Sequence, residues 1–106
     1  MSEFDIAPLD LKMRIDDDED VFILDVREPE EWRLANIGGT LIPLGELSQR
    51  FSELDPDREV FVLCHHGVRS SRACMFLRQN GFKKIKNIRG GIEQWSLEAD
   101  PSIPRY

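Results

Sequence analysis

A thiol closing an apolar run is the feature of this sequence best suited to covalent chemistry. Cys64 ends the run EVFVLC at 59–64 and is followed by His65, His66, Gly67, Val68, Arg69 and Ser70. Where a strand gives way to a helix over so few residues, three effects converge on the thiol. The helix start brings unpaired backbone N–H groups and the positive end of a dipole. A tight loop with a glycine free to take positive φ aims several N–H groups at one anion. Arg69 adds a fixed positive charge. All three favour thiolate over thiol, so Cys64 is expected to be nucleophilic near neutral pH. Without such surroundings it would read as a small hydrophobe ending a buried strand.

The other chemically capable residues read more simply. Side chains of adjacent residues are expected to diverge, and Cys64-His65-His66 with a distant Cys74 fits no zinc spacing, so no metal is expected. His65 and His66 are expected to point away from the sulfur and shape the mouth of the site. Cys74, ten residues on within a helical stretch, reads as a packed cysteine. Asp25 and Arg27 end an earlier strand and, from their positions alone, read as a surface ion pair of little weight. Trp32 and Trp95 read as packing anchors.

The elements that must position Cys64 follow from apolar patterning. Short strands are expected at Phe4–Ile6, 21–26 (VFILDV), Leu41–Ile42, 59–64 and 84–88 (KIKNI). Helices are expected from Pro8 with Leu9, Leu11, Met13 and Ile15 as its apolar residues, over 28–35, over Gly45–Leu54, over 70–80 and over Ile92–Glu98. In the helix at 70–80, Ala73, Phe76 and Leu77 share a face and Gly81 sits at C′. DDDED at 16–20 reads as a solvated loop. Strands alternating with helices argue for an α/β fold with a mostly parallel sheet and ligands at the C-terminal ends of the strands.

The chain has 106 residues, 20 acidic and 14 basic, for a net charge of −6. That length fits one domain over 1–106. With 41% hydrophobic and 32% charged residues, disordered and fibrous classes are excluded. The apolar runs are too short to span a bilayer, and MSEFDIAP lacks the pattern of a secretion signal. Two cysteines make no disulfide framework, so a cytoplasmic location is expected. Residues 60–92 carry no acid but seven bases, Arg69, Arg72, Arg78, Lys83, Lys84, Lys86 and Arg89. A window of that kind in an acidic protein attracts anions.

CHHGVRS between a strand and a helix resembles the active-site loop of the rhodanese sulfurtransferases. LDVREPEEW at 24–32, IGG followed by IP at 37–43, GF at 81–82 and IRGGIEQW at 88–95 are similar to that family in order and spacing. The resemblance implies a five-stranded, mostly parallel rhodanese-like sheet flanked by helices on both faces, structural charges at Asp25 and Arg27 that tie neighbouring loops together, and a sulfur relay. Cys64 is then nucleophile and persulfide carrier, and His65, His66, Gly67, Val68, Arg69 and Ser70 bind substrate. The donor is a small anion such as thiosulfate, the acceptor is cyanide, a thiol or a sulfur-carrier protein, and no cofactor is needed. Tyrosine-type phosphatases and arsenate reductases share a Cys-loop-Arg cradle but with five intervening residues, where this chain has four. A non-catalytic rhodanese binding module is the other alternative, against which an intact cysteine speaks. Asn36 stands where many members carry histidine, and is expected to serve as a turn residue. LIPLGEL at 41–47 and the segment WSLEADPSIPRY at 95–106 resemble the rhodanese modules attached to enzymes that adenylate ubiquitin-like sulfur carriers. The alternative for that segment is simple packing on the domain surface. A monomer is expected, with no nucleic-acid or membrane partner.

Overall fold

Five short runs of apolar residues assemble into one sheet. The computed structural model describes residues 3–106. Strands β1 (Asp5–Ile6), β2 (Phe22–Asp25), β3 (Thr40–Leu41), β4 (Val60–Leu63) and β5 (Ile85–Ile88) alternate with helices α1 (Pro8–Asp16), α2 (Pro29–Leu34), α3 (Leu44–Arg50), α4 (Val68–Gln79) and α5 (Gly91–Glu98). The sheet order is β1-β5-β4-β2-β3. Every pairing is parallel, with Leu24 opposite Val62 and Val62 opposite Asn87. The expected mostly parallel sheet is thus wholly parallel, and β1 lies at one edge of it. A parallel sheet covered on both faces needs strands apolar on both sides, as VFIL and VFVL are.

Strand alternation sends successive side chains to opposite faces. On one face Leu24, Val60, Val62, Cys64 and Ile85 pack with Leu47 of α3 and with Ala73, Cys74 and Leu77 of α4. On the other, Ile23, Phe61, Leu63 and Ile88 pack with Leu11 of α1 and with Ile92 and Trp95 of α5. The central strand β4 is buried along its whole length. Burying a side chain of this size contributes roughly 1.5–3 kcal/mol, so β4 is the strand whose placement is most strongly fixed.

Three expectations about elements need revision. The helix expected over Gly45–Leu54 is split, α3 ending at Arg50 before a 3₁₀ turn over Phe51–Glu53. In α1 Leu11 is buried, but Leu9 and Met13 lie on the solvent face, about half exposed. Positions 9, 11, 13 and 15 alternate with period two, which a helix of 3.6 residues per turn cannot bury together. Helix α4 begins at Val68, two residues earlier than expected, which puts Arg69 and Ser70 inside its first turn. Gly81 N–H bonds Arg78 O at 3.2 Å in the C′ place expected of it. Asp16 ends α1, and the rest of the acidic run forms the exposed loop.

Candidate active site

The C-terminal ends of β2, β4 and β5 meet around Cys64, at the edge where parallel sheets bind ligands. Cys64 leaves β4, and Gly67 turns the chain with φ 104° into α4. That left-handed conformation is the one a side chain would strain. It brings the Gly67 N–H to 2.9 Å from the Cys64 Sγ. Ser70, fully buried in the first turn of α4, places its Oγ 3.2 Å from the same sulfur. Ser70 Oγ in turn donates to Asn87 Oδ1 at 2.5 Å, and Asn87 Nδ2 donates to the Gly67 carbonyl at 3.2 Å. The sulfur, Ser70, Asn87 and Gly67 therefore form a closed circuit of hydrogen bonds joining the loop to β5. Asn87 is not among the residues expected from sequence. A lone polar residue in KIKNI carries no signal until β5 is placed beside β4.

The N-terminus of α5 clamps the loop from the other side. Ile92 N–H donates to Cys64 O at 2.9 Å and Glu93 N–H to His65 O at 3.1 Å. Contact this close requires glycine at 91, where an added Cβ would collide with His65 O and lie 2.5 Å from Cys64 O. Gly91 also sits at φ 66°. Gly91→Ala is expected to cost at least about 1–3 kcal/mol of stability from the strained conformation and to displace the Cys64 loop. Urea unfolding and the rate of Cys64 alkylation check this, and parental values in both would refute it.

Arg69 is placed near the loop, but its charge is shared. Its guanidinium forms a fork with Glu31 of α2, Nη1 to Oε1 at 2.5 Å and Nη2 to Oε2 at 2.8 Å. Glu31 also accepts the Glu28 N–H at 3.1 Å and the Tyr106 hydroxyl at 2.7 Å. The Arg69 guanidinium, and then the Tyr106 hydroxyl and the Glu28 N–H, hold the Glu31 carboxyl at about 2 against the opposing effect of burial. A carboxyl held below its unfolded value stabilises the fold above that value and loses the contribution as pH falls through the folded one. The stability advantage of the parent over Glu31→Gln is accordingly expected to be flat above pH 5 and to vanish between about 4.5 and about 2. Acid unfolding of the two proteins measures it, and an advantage that persists to pH 2 would refute it.

His65 and His66 do not diverge as expected. Their rings stack with centroids 3.9 Å apart and planes at 24°. The Tyr106 ring stacks on His65 in turn, at 4.0 Å and 13°. Burial first, and the neighbouring His66 second, lower the His65 titration, with Glu31 and Glu93 acting in the opposite sense. His65, His66 and Glu93 bring ligand atoms within 4.8 Å of one another. Imidazole lone pairs lie in the ring plane, however, so stacked rings send them along nearly parallel lines, which suits stacking better than chelation. Val68 is exposed at the lip of the loop.

Burial and hydrogen bonding assign the other residues singled out above. Cys74 is buried, and burial pushes its thiol up to about 12. Asp25 and Arg27 are a fully buried pair, Arg27 Nη2 to Asp25 Oδ2 at 2.7 Å, so the structural alternative holds over the surface one. Asn36 closes its turn, with Oδ1 accepting Gly38 N–H at 3.1 Å and Nδ2 donating to Trp32 O at 3.2 Å. Trp95 is buried in the core and Trp32 is half-buried. Among the described residues, no helix is long and apolar enough to cross a membrane.

The rhodanese-like domain family matches residues 7–98. A sulfurtransferase of Allochromatium vinosum is 37% identical over 94 residues, 88% of each chain. The crystal structure of a rhodanese-related protein from Thermoplasma volcanium superposes with a TM-score of 0.83 at 35% identity, over 96% of this chain and 98% of that one. YrkF of Bacillus subtilis, named a candidate sulfur carrier protein, is 43% identical over 86 residues, 80% of this chain and 46% of its own. The adenylyltransferase and sulfurtransferase MOCS3 of Arabidopsis thaliana is 30% identical over 99% of this chain and 26% of its own. The chain thus spans less than half the length of these last two relatives.

Proposed function

Because the chain belongs to the rhodanese-like domain family, we propose that it is a sulfurtransferase working through a Cys64 persulfide. The observation that carries this reading is the Cys64 sulfur seated at the β4–α4 turn, accepting the Gly67 N–H at 2.9 Å with Ser70 Oγ at 3.2 Å. In the first step the Cys64 thiolate attacks the outer sulfur of an anionic donor such as thiosulfate. A Cys–S bond forms, the donor S–S bond breaks, and sulfite leaves with the electron pair. In the second, cyanide or an acceptor thiolate attacks the terminal sulfur, and the S–S electron pair returns to Cys64. Both steps balance without an external oxidant or reductant. The Gly67 N–H is already directed at the sulfur, and the Ser70 hydroxyl can rotate towards it when negative charge develops there.

The macromolecular acceptor proposed is a sulfur-carrier protein. The names of YrkF and MOCS3 point to that chemistry, and the acid-free stretch 60–92 supplies positive charge for an acidic partner. The test is the intact mass of the protein after incubation with thiosulfate. A gain of one sulfur atom, removed by cyanide, is expected. No gain while Cys64 still alkylates would turn the reading towards another donor or a phosphatase-like reaction. No gain with an inert Cys64 would leave a binding module.

A further inference from the structure

Residues 100–106 fold back over the body of the domain. Asp100 turns the chain, its Oδ1 accepting the Ser102 N–H at 3.1 Å, and Ser96 Oγ donates to Ile103 O at 2.7 Å. Ile103 packs against the core cluster that holds Leu11 of α1 and Trp95 of α5. The path delivers the last two side chains to the Cys64 loop. Arg105 bonds Glu93 through Nε at 3.0 Å and Nη2 at 2.6 Å, and the Glu93 backbone holds His65 O. Tyr106 makes three contacts at once. Its ring stacks on His65, its hydroxyl donates to Glu31 Oε2, and its oxygen accepts from Arg27 Nη1 at 2.9 Å.

We propose that Tyr106 is a positioning residue for the sulfur-transfer loop, fixing His65 through its ring and, through Glu31, the Arg69 guanidinium. The proposal rests on the reading of that loop given above. The contacts of Tyr106 run to His65, Glu31 and Arg27 and not to the sulfur, so it acts on the loop through its neighbours. His65 adjoins Cys64 in the chain, and its imidazole Nε2 is buried with no hydrogen-bond partner among the described residues. Nothing polar therefore fixes that end of the ring, and the Tyr106 and His66 faces hold it by stacking. Arg69 has one carboxylate partner among the described residues, Glu31, and Tyr106 is the group that ties this carboxylate to the buried Arg27. The hydroxyl thus links the part-buried Arg69–Glu31 fork to the interior, where Arg27 is fully buried and hydrogen-bonded to Asp25. A cation presented in one place serves an anionic donor better than one that wanders, because less ordering is left to be done on binding.

Tyr106→Ala and Tyr106→Phe in the full chain separate the ring from the hydroxyl. In Tyr106→Ala the His65 imidazole becomes solvated, so its NMR titration midpoint rises towards that of an ordinary histidine. In Tyr106→Phe it stays low, because the ring remains. With thiosulfate as donor and cyanide as acceptor, KM for thiosulfate is expected to rise about ten-fold in Tyr106→Ala, with kcat changing less than about three-fold. Tyr106→Phe is expected to fall between parent and Tyr106→Ala. The rate of Cys64 alkylation by iodoacetamide against pH should change in Tyr106→Ala as well. A parental KM and a parental alkylation profile in Tyr106→Ala would overturn the proposal even if His65 titrates differently, since Tyr106 would then be packing alone. If the parent takes no sulfur from thiosulfate and its Cys64 is inert to alkylation, the reading of the loop fails. If Cys64 still alkylates, the alkylation profile and the His65 titration judge Tyr106, and parental behaviour in them would overturn its role.

Discussion

Cys64→Ser is expected to take up no sulfur from thiosulfate while folding as the parent does. The substitution keeps the shape of the side chain and its two neighbours, the Gly67 N–H at 2.9 Å and Ser70 Oγ at 3.2 Å. A buried hydroxyl there has both a donor and an acceptor to satisfy it, so the change in stability should stay within about 1 kcal/mol. The chemistry has no such substitute. A serine hydroxyl ionises far above neutrality, and its oxygen is a poor match for the soft outer sulfur that a thiolate attacks. Cys74 cannot take over, because burial in the same core pushes its thiol up to about 12. Intact mass after thiosulfate should therefore show one added sulfur in the parent and in Cys74→Ala, and none in Cys64→Ser. Uptake by Cys64→Ser would overturn the nucleophile assignment. Urea unfolding of the variant separates lost chemistry from lost fold.

The features legible in the sequence are those governed by local pattern. VFVLC and VFILD are apolar runs of strand length, and the parallel sheet buries them on both faces. The helices after Pro8 and Pro29 begin where proline favours the first turn. Gly67 and Arg69 can be placed at the loop because the turn from β4 into α4 is a matter of a few residues. The features that are not legible depend on distant segments. Asn87 reaches Gly67 across 20 residues and Tyr106 reaches Glu31 across 75. Arg69 reads as a free cation in the sequence, and the structure gives it Glu31, 38 residues away. The expectation that the two histidines diverge follows the general behaviour of neighbours in an extended chain, which the tight loop does not obey. For WSLEADPSIPRY the family resemblance implies a partner-linked feature, and the alternative is simple packing on the surface. The segment does pack on the domain, and its final residue also enters the loop's network of contacts.

The largest stability effect is expected at Asp25 and Arg27, two charged residues with no exposure. Arg27 Nε bonds Asp25 Oδ1 at 2.9 Å and Nη2 bonds Oδ2 at 2.7 Å. The other guanidinium protons reach Ala35 O at 2.8 Å, Glu31 O at 3.3 Å and the Tyr106 oxygen at 2.9 Å. Burial works against the charge on Arg27, and the bonds to Asp25 and Tyr106 more than offset it, so its proton is held more tightly than usual. Asp25→Ala leaves that guanidinium buried without its counter-charge, and Arg27→Met strands the carboxylate. Either change is expected to cost about 3–5 kcal/mol, against a typical domain total of about 5–15 kcal/mol. Arg27→Met has a second consequence, because it frees the carbonyls of Glu31 and Ala35 and the Tyr106 oxygen, on which the position of Glu31 depends. The double variant Asp25→Leu/Arg27→Met removes both charges together and is expected to lose less stability than either single change, since no lone charge remains in the interior. Urea unfolding of the three variants measures this. Single variants within 1 kcal/mol of the parent, or a double variant whose loss equals the sum of the two, would refute the claim that the pair's importance lies in mutual neutralisation. If the double variant folds but alkylates Cys64 differently from the parent, the pair also sets the geometry of the loop through α2, and charge balance alone does not describe its role.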